Sequence, residues 1–390
     1  MTSGLNATAT RKLVILNQAA NYLTVGFANA FNQKFDSVTL ITGGVHVQGE
    51  ELDPDIEVRY INRWCERPAW KKAVSYIIAM LRMWWLLMTR YRCHEVFFVS
   101  VPPMAYLLNL LLPNRFSMVI WDIYPDTFKI TGMRESHPIY RLWAWLNRRS
   151  FKKAYRLFTI SEVMAVALSR YVDQNKLDVQ PIWAIFKGDE RISREKNLFL
   201  KRDDDCNKFI VQYSGNIGIT HNVELLIDVA ERLKGNDRIL FQIIGRGPRE
   251  LAIRREVEQR GLRNVQMLPF QSDEMFPHSL SAADLGVVVL NERVSQGSIP
   301  SKAFNLMSFG IPSLYLAASK SQLARYAEQF GHARCFESDQ IAEVADFILK
   351  LASDSEMLEQ MAARSKGAAG SFTRANADRF VDAYITETNA

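Results

Sequence analysis

The sequence predicts an α/β protein built on two doubly wound parallel sheets, one in each half of the chain. Three observations lead there. Short apolar runs alternate with helical patterns from end to end, as they do when parallel strands are joined by crossover helices. A polar stretch, 191–208, containing Asp203, Asp204 and Asp205, interrupts the alternation once, after which the cycle restarts. The 390 residues exceed one ordinary core, and at 48% hydrophobic the chain can fill two. The expected domains are 1–190 and 191–370, with a helical segment, 371–390, completing the first. Two such domains facing each other make a cleft, a common place for a ligand.

In the first half, 13–16 reads as a strand, followed by a loop through Asn21 and Thr24 and a helix over 25–34. Strands follow at 38–42, ending on Gly43-Gly44, and at 57–61, 95–100, 117–121 and 157–160. In the second half the strands fall at 209–213, 240–244, 265–267, 284–290 and 311–316, and a helix spans 223–233 after a loop over 214–222. Apolar residues at Phe372, Ala375, Phe380, Ala383 and Tyr384 mark the closing helix.

Residues 297–312, Gly-Ser-Ile-Pro-Ser-Lys-Ala-Phe-Asn-Leu-Met-Ser-Phe-Gly-Ile-Pro, read as an anion-binding loop feeding a helix. Gly297 allows close backbone approach, Pro300 suits a first helical turn, and Gly310 with Pro312 stops the helix. Lys302 falls in the same first turn, where a cation is electrostatically disfavoured unless an anion sits beside it. The flanking strands place this loop at the carboxyl edge of a sheet, where α/β proteins bind ligands.

The formal charge is +6, unevenly placed: 1–190 hold 23 Lys/Arg against 16 Asp/Glu, and 191–390 hold 25 against 26. The basic first half points to an anionic surface. No nucleic-acid-binding pattern accompanies it, so a membrane is favoured over nucleic acid. Cys65, Cys93, Cys206 and Cys335 are scattered, which suggests a reducing compartment and no structural zinc, and Met1 to Thr10 do not read as a signal peptide.

Tyr213-Ser214-Gly215-Asn216-Ile217-Gly218, Ile244-Gly245-Arg246-Gly247-Pro248, Leu268-Pro269-Phe270, Ala283-Asp284, Pro300-Ser301-Lys302 and Gly310-Ile311-Pro312 together resemble the C-terminal domain of family 4 glycosyltransferases. These are retaining enzymes of the GT-B fold, and the similarity is to bacterial transferases of capsule, O-antigen and exopolysaccharide synthesis. It is strong over 210–320 and weaker over the first domain, where Trp121-Asp122-Ile123-Tyr124-Pro125-Asp126 resembles a segment lining the cleft.

The resemblance implies a hexosyltransferase that binds a nucleotide-diphosphate sugar and transfers it to a polyprenyl-diphosphate-linked glycan at the cytoplasmic face of a membrane, without a metal or other cofactor. It implies that N–H groups near Gly297, Ser298 and Ile299, with Ser301 and Lys302, hold the diphosphate. Asn216 and Gly218 would lie under the phosphates or sugar, Gly245, Gly247 and Arg246 beside the nucleoside, and the backbone at Phe270 beside the base. Gly26, at the start of the first helix, would close over the donor, and Asp122 would contact the sugar or the acceptor hydroxyl. Gly297 and Asn305 stand where many relatives carry a Glu pair, and Asn216 and His221 where many carry Arg and Lys. Diphosphate charge would then fall on N–H groups, Lys302 and Arg246.

Other readings of these residues stay open. Asp122 could bond backbone N–H groups before Pro125, His221 could cap the helix near Val223, and Arg246 could be merely exposed. His94, His137 and His278 read as surface. The fold would also suit a nucleotide-sugar epimerase or a non-catalytic scaffold.

Two helices suggest a membrane face. Over 70–92, Trp70, Val74, Ile77, Leu81, Trp84, Trp85 and Met88 form one stripe, which would ordinarily be core, yet Met80, Met83, Leu86 and Leu87 lie elsewhere. Only a narrow strip with Lys71, Ser75 and Arg82 is polar, and those residues argue against a spanning helix. Over 140–156, Arg141, Arg148, Arg149, Lys152, Lys153 and Arg156 share an arc with Trp145 and no acid, which suits an anionic headgroup layer or a solvated face.

Overall fold

The computed structural model describes residues 10–47, 49–65, 68–185, 191–200, 207–218 and 221–386. Asp203 to Asp205 lie outside the described residues. The chain divides into two compact units: Met1–Pro125 with Arg134–Ile182 and Arg374–Ala390, and Asp126–Met133 with Trp183–Thr373.

The first unit holds a parallel sheet of β1 (Lys12–Leu16), β2 (Ser37–Thr42), β3 (Glu57–Tyr60), β4 (Glu95–Val99), β5 (Phe116–Ile120), β6 (Leu157–Thr159) and β7 (Leu177–Val179), ordered β3-β2-β1-β4-β5-β6-β7. Central strands are covered on both faces, which is why they read as unbroken apolar runs. The edge strand β7 has a charged middle residue and no buried one, so it leaves no such run.

Helix α1 (Tyr22–Asn32) begins three residues earlier than expected, because Asn21 is its cap and accepts a hydrogen bond from the Thr24 N–H at 3.3 Å. Gly26 is therefore a full turn inside a buried helix, not at its free end. Helices α2 (Ala69–Thr89) and α3 (Pro138–Lys153) join strands that advance in the same direction across the sheet. Right-handed crossovers put them on one face, with the 3-10 turn Ala105–Leu110 between β4 and β5, and α1 on the other. The closing helix Asn376–Ile385 packs on α1, with the Phe380 ring 4.9 Å from Phe27 and the Tyr384 ring 5.2 Å from Phe31.

Helix α2 is inverted relative to the expected core stripe. Its buried row is Ser75, Ala79, Met83 and Leu87, while Trp70 (64% exposed), Val74, Ile77, Leu81 and Trp85 (62%) face outward. Ser75 is inside because its hydroxyl accepts from the Gln18 side chain at 2.9 Å and donates to the Arg63 carbonyl. On α3, Arg141, Arg148, Arg149, Lys152 and Trp145 are exposed, with the Arg149 guanidinium 4.0 Å over the Trp145 ring. Arg156 does not join that face: it lies beyond the helix, is buried, and donates to the Thr386 carbonyl. His137 is exposed, as expected, and in addition its ring accepts from the Ile139 N–H and caps α3.

The second unit holds β8 (Phe209–Ser214), β9 (Ile239–Ile244), β10 (Val265–Leu268), β11 (Leu285–Val289), β12 (Ser313–Leu316) and β13 (Ala333–Phe336), ordered β10-β9-β8-β11-β12-β13, all parallel. The order reverses between β8 and β11, which opens a crevice at their carboxyl ends. The described part of the polar stretch is anchored rather than loose. Arg191 and Arg194 both bind the buried Asp284 carboxylate, which also accepts the Ile210 N–H at 2.8 Å.

Candidate active site

The crevice is occupied by a cavity of about 270 Å³ whose wall includes Gln212, Asn216, His221, Phe270, Ser301 and Lys302. All its lining residues come from the second unit. Strand β8 delivers Gln212 and Asn216 from its carboxyl end, β10 leads to Phe270, and the loop after β11 leads to Ser301 and Lys302.

The helix of that loop is Lys302–Ser308, shorter at its start than the sequence suggests: Pro300 precedes the Ser301 cap position and leaves the first turn to Lys302. Its end is as expected. The Gly310 N–H bonds Met307 O at 2.9 Å, the Ile311 N–H bonds Leu306 O at 2.9 Å, and Gly310 takes the left-handed φ of 63° this double closure needs. Gly286 of β11 leaves room for Leu306, because a Cβ there would fall 2.3 Å from its Cδ2.

Lys302 is the centre of the cavity's electrostatics. Its Nζ is sealed from solvent without a hydrogen-bond partner, although the residue as a whole is only partly buried. It lies 4.0 Å from the centre of the Tyr213 ring, a weak substitute for an anion. Burial pushes its pKa down to about 7. The N–H groups of Ser298, Ile299, Ser301 and Lys302 have no backbone acceptor among the described residues, and of these four residues Ser301 and Lys302 line the cavity while Ser298 and Ile299 do not. The Gly297 N–H is different: it bonds Val294 O at 3.0 Å, so it is not available to a phosphate.

The glycines after β8 and β9 have a packing role the sequence did not reveal. A Cβ on Gly245 would fall 1.9 Å from Gly215 O, and the two loops are laced by Ile217 N–H to Arg246 O at 3.0 Å. Gly247 packs on Ile217 O in the same way, and a Cβ on Gly215 would meet Lys302 Nζ at 2.9 Å. Gly218 does not reach the cavity wall, and a Cβ on it would crowd the Asn216 side chain at 3.0 Å. Arg246 is outside the wall as well, its guanidinium lying 5.3 Å over the Phe270 ring.

His221 is not a helix cap. The helix Glu224–Arg232 starts from Val223 without a side-chain cap, while the His221 ring lines the cavity. Burial, and then the charge of Lys302, push its pKa down to about 3. Gln212 is a wall residue the sequence did not single out. It pairs with Gln242 at 3.1 Å, and Gln242 pairs with Gln266 at 3.2 Å, a ladder across β8, β9 and β10. Gly26 and Asp122 belong to the first unit. Asp122 lies past the carboxyl end of β5, near Tyr76 and Tyr124, whose phenol pKa values are raised mainly by burial and further by the Asp122 charge. No group of three or more His, Cys, Asp or Glu among the described residues could hold a metal ion.

Residues 195–368 match the family model of glycosyl transferases group 1. The chain is 34% identical to the Escherichia coli protein named as a colanic acid biosynthesis glycosyl transferase, WcaI, over 54% of this chain and 53% of that one. It thus spans about half the length of the curated relatives it matches. Among solved structures, a sucrose-phosphate synthase from Thermosynechococcus elongatus superposes with a TM-score of 0.76 at 12% identity, covering 96% of this chain and 98% of that one. Anabaena HepE in complex with UDP and glucose gives 0.73 at 13%, covering 97% and 100%. These likenesses establish the fold, GT-B with two Rossmann-like parallel-sheet domains. The matched residues span β8 to β13 and all of the cavity.

Proposed function

We propose that the chain is a retaining glycosyltransferase of surface polysaccharide synthesis whose group 1 domain binds the diphosphate of a nucleotide-sugar donor. The observation that carries this is the sealed, partnerless Lys302 ammonium in a cavity that Ser301 and Asn216 also line. An ammonium in that position is costly until an anion joins it. A diphosphate supplies that anion, and Lys302 with the N–H groups then takes up the charge that grows as the diphosphate leaves. In the proposed reaction the bond from the sugar to the diphosphate breaks, the acceptor oxygen bonds to the same face, and the acceptor proton passes to a departing diphosphate oxygen. Asn216 and His221 contact the phosphates or sugar, Phe270 and Arg246 the nucleoside, and Asp122 the acceptor hydroxyl. The donor-binding reading is supported by HepE, whose structure holds UDP and glucose. The polysaccharide reading is supported by the relative named for colanic acid.

The acceptor proposed is a glycan on a polyprenyl diphosphate, reached by docking on the cytoplasmic face of an anionic membrane through α2 and α3. The outward stripe from Trp70 to Trp85 and the exposed Ile139, Leu142 and Trp145 support docking, since neither helix contains an acid. No helix among the described residues is long and apolar enough to cross a membrane.

A thermal-shift screen of nucleoside diphosphates and nucleotide sugars tests the donor reading. The expected result is stabilisation by one nucleotide class that Lys302→Ala abolishes. A flat response across the screen would favour a non-catalytic scaffold.

A further inference from the structure

The first unit has a second cationic hollow, far from the carboxyl edge of its own sheet. It measures about 590 Å³ and is lined by Arg11, Lys12, Arg92, His94, Arg115 and Tyr155 among others. These residues sit where β1, β4 and β5 begin: Leu13 pairs with Glu95, and Val96 with Phe116. Ligands of parallel sheets gather at the other end, so this hollow is separate from the edge that carries Asp122.

Its charge is unbalanced in a specific way. The one carboxylate in the wall, Glu95, is saturated: Arg11 grips both oxygens at 3.0 and 3.1 Å, and the Tyr384 hydroxyl donates at 2.7 Å. Lys12, Arg92 and Arg115 have no carboxylate partner among the described residues. The His94 ring adds an Nδ1 that is buried without a hydrogen-bond partner, on a residue whose pKa is lowered by burial and then by Lys12. Arg115 is braced against the Tyr155 ring at 5.1 Å, which holds its fork in place. We propose that this hollow is a phosphate-binding site, distinct from the donor cavity, in which Arg92, Arg115 and Lys12 grip a phosphoryl group. The proposal holds whether or not the group 1 domain binds a nucleotide sugar.

The test uses the full chain carrying Lys302→Ala with Arg148→Gln and Arg149→Gln, so that the donor cavity and the α3 face are both weakened. Its probes are inorganic pyrophosphate, by calorimetry, and phosphatidylcholine vesicles with or without phosphatidic acid, by sedimentation. Binding of pyrophosphate assigns a free phosphate, and binding confined to phosphatidic acid vesicles assigns a lipid headgroup. In either case Arg92→Gln with Arg115→Gln weakens binding by about tenfold or more, while Arg232→Gln with Arg255→Gln on the second unit leaves it within about twofold. Lys12→Gln alone serves as the second reading should the double variant lose its melting transition. The proposal is overturned if neither probe binds, or if the Arg232 and Arg255 pair matters as much as the pair in the hollow.

Discussion

The two units each attract anions, and they do it by opposite constructions. In the second unit one ammonium is sealed in a small cavity, flanked by backbone N–H groups and by loops so close that glycine is required at Gly245. In the first unit the cations are numerous and mostly exposed, on α3 and around the hollow where β1, β4 and β5 begin. A sealed charge in low dielectric gives strong, oriented contact that salt hardly screens, whereas exposed charges act over a Debye length and fade with salt. One region is suited to holding a leaving group still, and the other to finding a surface.

The most direct way to break the contrast is to remove the sealed charge. Lys302→Ala should weaken nucleoside diphosphate binding by about 30- to 100-fold, measured by calorimetry, because a desolvated charge-assisted contact is lost. Raising salt should leave the wild-type donor affinity almost unchanged. If salt weakens it as steeply as it weakens vesicle binding, the cavity is not the donor site.

Next in size is the outward stripe of α2. Trp70→Ser with Trp85→Ser should lower partition onto anionic vesicles by about tenfold, since each indole contributes apolar area to the interface. The melting temperature should stay put, because neither ring is in the core. A fall in stability without loss of vesicle binding would mean that the stripe packs on protein instead.

These regions also differ in how far the sequence reveals them. The Pro-Ser-Lys loop, its helix stop at Gly310 and the alternation of strands are all punctuated by glycine, proline or apolar runs, and so they are readable. The strands β7 and β13 escaped notice because each is a short edge strand with a charged residue, Asp178 or Arg334, inside it. Helix α2 is apolar nearly all round, so its sequence cannot say which stripe is inside. That choice is made by Gln18, which hydrogen-bonds Ser75 from β1's loop and pulls the smaller side chains inward. His221 was open to two readings for a similar reason: its position just before a helix suggests a cap, and only the fold turns its ring toward Lys302. Gly297 reads as a phosphate donor from its place in the loop, and a single turn bond to Val294 occupies its N–H.

A smaller effect sharpens the account of Lys302 through pH. Its pKa in the empty cavity is about 7, and a bound diphosphate raises it by favouring the charged form. Binding therefore takes up a proton in the window above pH 7, and affinity should fall as pH rises there, by up to about tenfold per unit. Lys302→Met should remove that fall. A slope that survives the substitution would shift attention to the ligand's own ionisation or to His221.

The smallest effect belongs to the empty protein and has the opposite sign to the binding effects. Below pH 7 both folded and unfolded chains carry a charged Lys302, and the folded one bears the desolvation cost. Above pH 7 the folded lysine releases its proton while the unfolded one keeps it until its ordinary value, so the cost fades as pH rises through that interval. Contact with the Tyr213 ring offsets part of it. Lys302→Met should accordingly stabilise the empty protein by about 1 kcal/mol near neutral pH, with the gain shrinking toward pH 10. Chemical denaturation at a series of pH values measures this. A variant that is less stable than wild type below pH 7 would show that Lys302 has a partner of its own in the folded chain, and the case for an anion in the cavity would fall with it.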